Sequence, residues 1–314
     1  METLTNKKTI RFTVTALKWC FTLAAVYILL TLLLPSNYLT IKNYRFSEFE
    51  YRIVLLLIAI PVICVWFVAF WGYSKLQIYS QKVADTKEGS ELVTLTKGIM
   101  WLAWSLPVNA IINRILTGIA DKNNSFHSAS VILINYLDLI MPFIAFVLIA
   151  IAAKGLISIA KLDIGLTNSR FVMLIFIIIG VLYCYLTLKS ANLSSMSTTN
   201  NHYYLPAWLI ILTIIIPYLY AWFLGLLASY ELIIYTRKIE GIIYKRALTL
   251  LSVGLFSIIF SFILSQYINS IWPINGSIIF NYRLFLGILI RIMGGIGFIV
   301  LAVGANRLKR IEDV

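Results

Sequence analysis

Two ionisable side chains stand inside stretches that are otherwise apolar: Asp138 within INYLDLIMP and Arg291 within GILIRIMGG. A charge in the middle of a bilayer costs at least about 2.5 kcal/mol, so such a residue has a partner, a water-filled cavity or a function. Three arrangements suit this pair. Asp138 and Arg291 form an ion pair, a cavity solvates both, or Arg291 runs its aliphatic stem up to the headgroups. In a transporter they would contact the substrate or couple its movement to that of an ion.

Other polar residues gather around these two. Asn109, Asn113 and Arg114 precede Asp138 by one apolar segment, and Asn135 lies three residues before it. Gln266 and Asn269 lie on the segment before Arg291. Residues three or four apart share a helix face, so Asn109 and Asn113 point the same way, as do Gln266 and Asn269. The set outlines a polar pocket, or else a group of hydrogen bonds between helices. The Arg291 segment also carries Gly287, Gly294, Gly295, Gly297 and Gly304, which let a neighbouring helix approach closely or leave room for a ligand. Lys75 and Glu231 stand near the ends of two further apolar segments. They are a candidate cytoplasmic gate, or interface residues that simply reach water.

Other chemistries find little material. His127 and His202 both fall between apolar segments, whereas haem-binding bundles use histidines within helices. Cys20, Cys64 and Cys184 are each embedded in apolar runs and read as small hydrophobes. No His/Cys/Asp spacing suits a metal, and no phosphate-binding glycine loop, dinucleotide motif or nucleophile elbow occurs. The sequence therefore leads us to expect neither a catalytic centre nor a bound cofactor or metal.

The elements that must position these residues follow from composition. Apolar residues make up 61% of the 314 and charged residues 12%, against about 25% charged in a soluble domain. Eight stretches are long enough to cross the hydrocarbon core as helices: 16–35, 53–73, 96–118, 129–153, 171–189, 205–229, 247–269 and 284–305. The expected fold class is an all-α integral membrane protein with eight transmembrane helices. No small-residue cleavage site follows the first stretch, so it reads as a span that is kept.

Charge sets direction. With the N-terminus inside, 18 of the 26 basic residues are cytoplasmic, 7 are outside and Arg291 is within a span. Both termini are then cytoplasmic. The net charge of +13 is explained by this asymmetry rather than by nucleic acid, for which no motif is present. The Asn-x-Ser triplets at Asn123, Asn192 and Asn275 fall in expected outer loops.

A shift of 156 residues aligns the two halves without a gap. Pro61 meets Pro217, Trp66-Phe67 meets Trp222-Phe223, Tyr79 meets Tyr235, Gly98 meets Gly254, Ser105 meets Ser261 and Asn113 meets Asn269. Matches of Pro, Trp, Gly and Asn in one register are hard to obtain by chance. We therefore read residues 1–156 and 157–314 as two tandem four-helix repeats. With four spans each, they are parallel copies about an axis normal to the membrane. Pro61 and Pro217 should kink their helices alike. Residues 74–94 and 230–250 mix apolar and charged side chains. They suit an interfacial helix or a span extended into water, and a place for a protein partner or for anionic lipids of the cytoplasmic face.

Two functions are compatible with this layout. One is a transporter or permease-like protein of the cell membrane for a small polar or charged solute or a lipid. The other is a non-catalytic membrane subunit or scaffold that docks a cytoplasmic partner or anionic lipid.

Overall fold

A computed structural model describes residues 2–33, 48–120, 127–160, 211–239, 242–271 and 277–312, with isolated positions between 174 and 185. Side chains are described over 14–33, 59–116, 138–160, 211–239 (except 213 and 214), 243–265 and 286–308 and at those isolated positions. Among the described residues every element is helical and there is no strand. The helices are α1 (Glu2–Leu33), α2 (Glu48–Lys82), α3 (Lys87–Ala120), α4 (His127–Ile159), α5 (Ile216–Lys238), α6 (Ile242–Ile271) and α7 (Ser277–Glu312). All seven are long and apolar enough to cross a membrane, and the chain is a multi-pass membrane protein. The fifth expected span, 171–189, falls largely outside the described residues. The same holds for the loop residues 36–47 and 190–204, for Asn123, Asn192 and Asn275, and for His202.

The helices outrun the apolar stretches that specify them. α2, of 35 residues, and α3, of 34, each measure about 50 Å at 1.5 Å per residue, against about 30 Å of hydrocarbon. The segment 74–94 is thus a continuation of α2, a tight turn and the start of α3. Thr86 caps α3: its Oγ1 accepts a hydrogen bond from the Gly89 amide at 2.9 Å. Glu88 in the first turn suits the positive end of the helix dipole. Any Cβ at Gly89 would run into the Val83 carbonyl, so the turn requires glycine there.

Prolines are treated differently in different helices. Pro61, Pro107 and Pro142 lie inside α2, α3 and α4. Pro217 instead sits in the first turn of α5, directly after a π-helical turn at Ile211–Ile215. A π turn is one way to place a residue that lacks an N–H without breaking the helix.

Helix pairing defines the core. α3 packs along α4 and α6 along α7. α2 touches α3 and α7, and α5 touches α4 and α6. α1 covers α2 and α3. The α6–α7 seam is made by backbone approach. A Cβ on Gly254 would lie 2.6 Å from the Leu301 amide nitrogen, one on Gly297 2.8 Å from the Gly254 carbonyl, and one on Gly304 2.8 Å from the Ala247 carbonyl. Such contact suits helices in lipid, where apolar side chains gain nothing by leaving hydrocarbon and close packing must hold the pair. Trp66, Trp222, Tyr79, Phe70, Phe146 and Phe298 fill the interior. Trp19, Phe21, Ile60, Ile151, Ile243 and Ile296 face outward, where lipid is their solvent.

Candidate functional site

A partly open cavity of about 150 Å³ lies among α2, α3, α4, α6 and α7. Its apolar wall includes Val65 and Trp66 of α2, Phe262 of α6 and Phe298 of α7. Its polar wall is built by Asn109 and Asn113 of α3, Asp138 of α4, Ser105 of α3, Ser261 and Ser265 of α6, and Arg291 of α7.

Each polar group is positioned by its helix. Asn109 and Asn113 are one turn apart and reach the same residue. Asn113 Nδ2 donates to Asp138 Oδ1 and Oδ2, both at 3.1 Å, and Asn109 Nδ2 approaches the Asp138 carbonyl at 3.4 Å. The Asn109 Oδ1 acceptor is buried without a hydrogen-bond partner among the described residues. Ser105 and Ser261 donate their protons to their own helices, to the Leu102 and Ile258 carbonyls at 2.7 Å each. This leaves the lone pairs of the hydroxyl oxygens for the cavity. Gly294 provides space: a Cβ there would lie 2.6 Å from Ser261 Oγ.

Arg291 enters from α7 and interacts electrostatically with Asp138 and with Tyr27 of α1. Among the described residues it has no hydrogen bond, and no salt-bridge contact joins it to Asp138. The carboxylate is held by an amide instead.

The remaining sequence candidates are dispersed. Arg114 turns toward α1, where its Nη2 donates to the Thr31 carbonyl at 3.3 Å. It does not line the cavity. Asn135, Gln266 and Asn269 lie on α4 and α6, and their side chains are outside the described residues. Lys75 is half-buried on α2. Glu231 is buried on α5, and the cation acting on it is Lys154 of α4. Lys154 was legible in the sequence only as one of many cytoplasmic lysines. Gly294, one of the glycines expected to admit a neighbouring helix or leave room for a ligand, lines the cavity. Ser105, Ser261 and Trp66 join it without having been singled out for it, and their coincidences at the 156-residue offset (Ser105 with Ser261, Trp66 with Trp222) were the one available signal.

Two features occupy the end of the bundle that carries most of the lysines. Tyr79 of α2 and Tyr244 of α6 share a hydrogen bond of 3.0 Å between their hydroxyls. An open cleft of about 460 Å³ is lined by Lys245, Arg246, Thr249 and Leu250 of α6 and Arg307 of α7.

Chemically, the cavity is equipped for binding. It offers one carboxylate, one guanidinium, free oxygen acceptors and aromatic walls. Among the described residues no cluster of His, Cys, Asp and Glu could hold a metal. No family model matches the chain, and no curated protein or solved structure matches it either.

Proposed function

We propose that the chain is a transporter or permease-like membrane protein that binds a small polar or charged solute in the cavity between Asp138 and Arg291. The observation that carries this reading is the convergence of both intramembrane charges on one cavity, from helices α4 and α7. A protein that served only as a scaffold would have no reason to bear the cost of both.

The two-copy architecture supports it. Under the 156-residue offset, the pairing of α3 with α4 becomes that of α6 with α7, and the contact of α2 with α7 becomes that of α4 with α5. Gly98 and Gly254 both sit at close approaches to the following helix. Trp66 and Trp222 are both buried, as are Tyr79 and Tyr235. On this reading residues 1–156 and 157–314 are parallel repeats, eight spans cross the membrane, both termini are cytoplasmic and the cavity lies toward the outer face. Rocking of one repeat against the other then gives alternating access to the cavity.

The test is uptake into proteoliposomes of a panel of labelled small amines, carboxylates, amino acids and sugars. The wild type should accumulate at least one class, and Asp138→Asn should abolish that uptake. Absence of any protein-dependent uptake across the panel would sink the proposal.

A second reading is favoured by a separate observation, the basic cleft of Lys245, Arg246 and Arg307. By that reading the chain is a non-catalytic membrane subunit whose lysine-rich end, including 74–94 and 230–250, docks anionic lipid or a cytoplasmic protein. Neutralising those cations should then abolish function while Asp138→Asn leaves it intact.

A further inference from the structure

The two charges of the cavity are not spent on each other. Asp138 accepts from Asn113, while Arg291, on a different helix, makes no hydrogen bond among the described residues and acts on Asp138 only through space. A ligand bearing a single charge answers one of these groups and leaves the other facing it with like sign. An uncompensated charge in a site of low dielectric is costly. A ligand bearing both charges answers both at once. We infer that the cavity takes a small zwitterion, with an ammonium and a carboxylate on one short carbon frame. The ammonium faces Asp138 and the carboxylate faces Arg291. This inference rests on the solute-binding reading above.

The donors and acceptors balance under this assignment. An ammonium brings three N–H donors. Waiting for them are the Asp138 carboxylate, the partnerless Asn109 Oδ1 and the hydroxyl oxygens of Ser105 and Ser261, whose own protons are already engaged. A carboxylate brings only acceptors and matches the planar fork of Arg291, which offers only donors. Trp66 and Phe262 leave an apolar surface for the carbon frame.

Size narrows the class. A cavity of about 150 Å³ is comparable to one that accepts benzene, which admits roughly six to eight non-hydrogen atoms. Alanine and β-alanine fit that limit, and a peptide or a whole phospholipid does not.

The experiment is a thermal-shift titration of the purified full-length protein in detergent. The probes are alanine, β-alanine and their half-molecules ethylammonium and propionate, at matched ionic strength. At least one zwitterion should stabilise the protein with an apparent Kd at least about tenfold below that of either half. Asp138→Asn and Arg291→Gln should each remove the shift. Alaninamide and lactate each replace one charge of the same frame by a neutral group without adding an atom and should fail on the wild type, so the result does not depend on either variant folding. If a singly charged probe binds as well as the zwitterions, or neither zwitterion shifts the melting curve, the inference is overturned. The solute-binding reading falls separately, if the vesicle panel also shows no uptake.

Discussion

The side-chain amide of Asn113 on α3 donates to both carboxylate oxygens of Asp138 on α4, at 3.1 Å from each. The two oxygens lie too close together to face the two diverging amide hydrogens separately, so one N–H is shared between them. This shared bond restrains the carboxylate and ties α3 to α4. Asn109, one turn away, reaches the Asp138 backbone, so one face of α3 holds one residue of α4 at two points.

That tie should be measurable as a coupling. In a double-mutant cycle of Asn113→Ala and Asp138→Asn, the interaction energy should fall between about 0.5 and 2 kcal/mol. Bonds to charged groups set the upper figure and typical interhelical bonds in membranes the lower. Reversible unfolding in mixed micelles gives the four stabilities. Strict additivity would show that the two side chains do not depend on each other.

The glycine seam predicts a graded response along α7. Gly297→Ala places a methyl group 2.8 Å from the Gly254 carbonyl, and Gly254→Ala places one 2.7 Å from the Gly297 carbonyl. Either change must push α6 and α7 apart and should cost about 1–3 kcal/mol. Among the described residues Gly287→Ala meets nothing within 4 Å, and it should be neutral or slightly stabilising, since alanine is the better helix former. Melting temperatures in one detergent would check the contrast. Equal effects at 287 and 297 would contradict the seam.

What the sequence made legible depended on contrast. Asp138, Arg291, Asn109 and Asn113 stand out against an apolar background, and their depth in the spans follows from helix rise, so their meeting in one cavity could be anticipated. The partner of each could not. In lipid an apolar residue can equally face a neighbour or the bilayer, so the pattern does not say which side of α2 turns inward. Trp66 therefore entered the cavity unannounced, Arg114 turned to Thr31 rather than to the cavity, and Glu231 came under the influence of Lys154. Pro217 likewise gave a position but not its setting, because a mid-span proline and one after a π turn look identical in sequence.

If the cavity holds water between ligands, chemistry should reach it. In a background with Cys20, Cys64 and Cys184 replaced, Ser265→Cys on the cavity wall should react with a charged methanethiosulfonate reagent. Ile263→Cys, two residues away on the same helix and buried in the core, should react at least about tenfold more slowly, because the thiolate needs solvent access. Reagent applied to the outside of intact cells should suffice under the proposed orientation. Labelling of Ser265→Cys only after permeabilisation would invert it.

The basic cleft gives a final prediction that separates charge from packing. Lys245 has two roles: it lines the cleft, and its Nζ donates to the Arg237 carbonyl at 3.1 Å, capping the last turn of α5. Arg246 and Arg307 line the cleft from α6 and α7. Each cation near an anionic surface contributes about 1 kcal/mol of attraction, so Arg246→Gln with Arg307→Gln should reduce co-purifying anionic phospholipid by at least about tenfold. Zwitterionic lipid should be unchanged, and so should the melting temperature in neutral detergent. Lys245→Gln should lower both anionic lipid and melting temperature, because it also removes the cap. Native mass spectrometry reads the lipid and a melting curve reads the cap. Loss of stability in the Arg246/Arg307 variant without loss of lipid would mean that those arginines serve the fold and that the cleft is no lipid site.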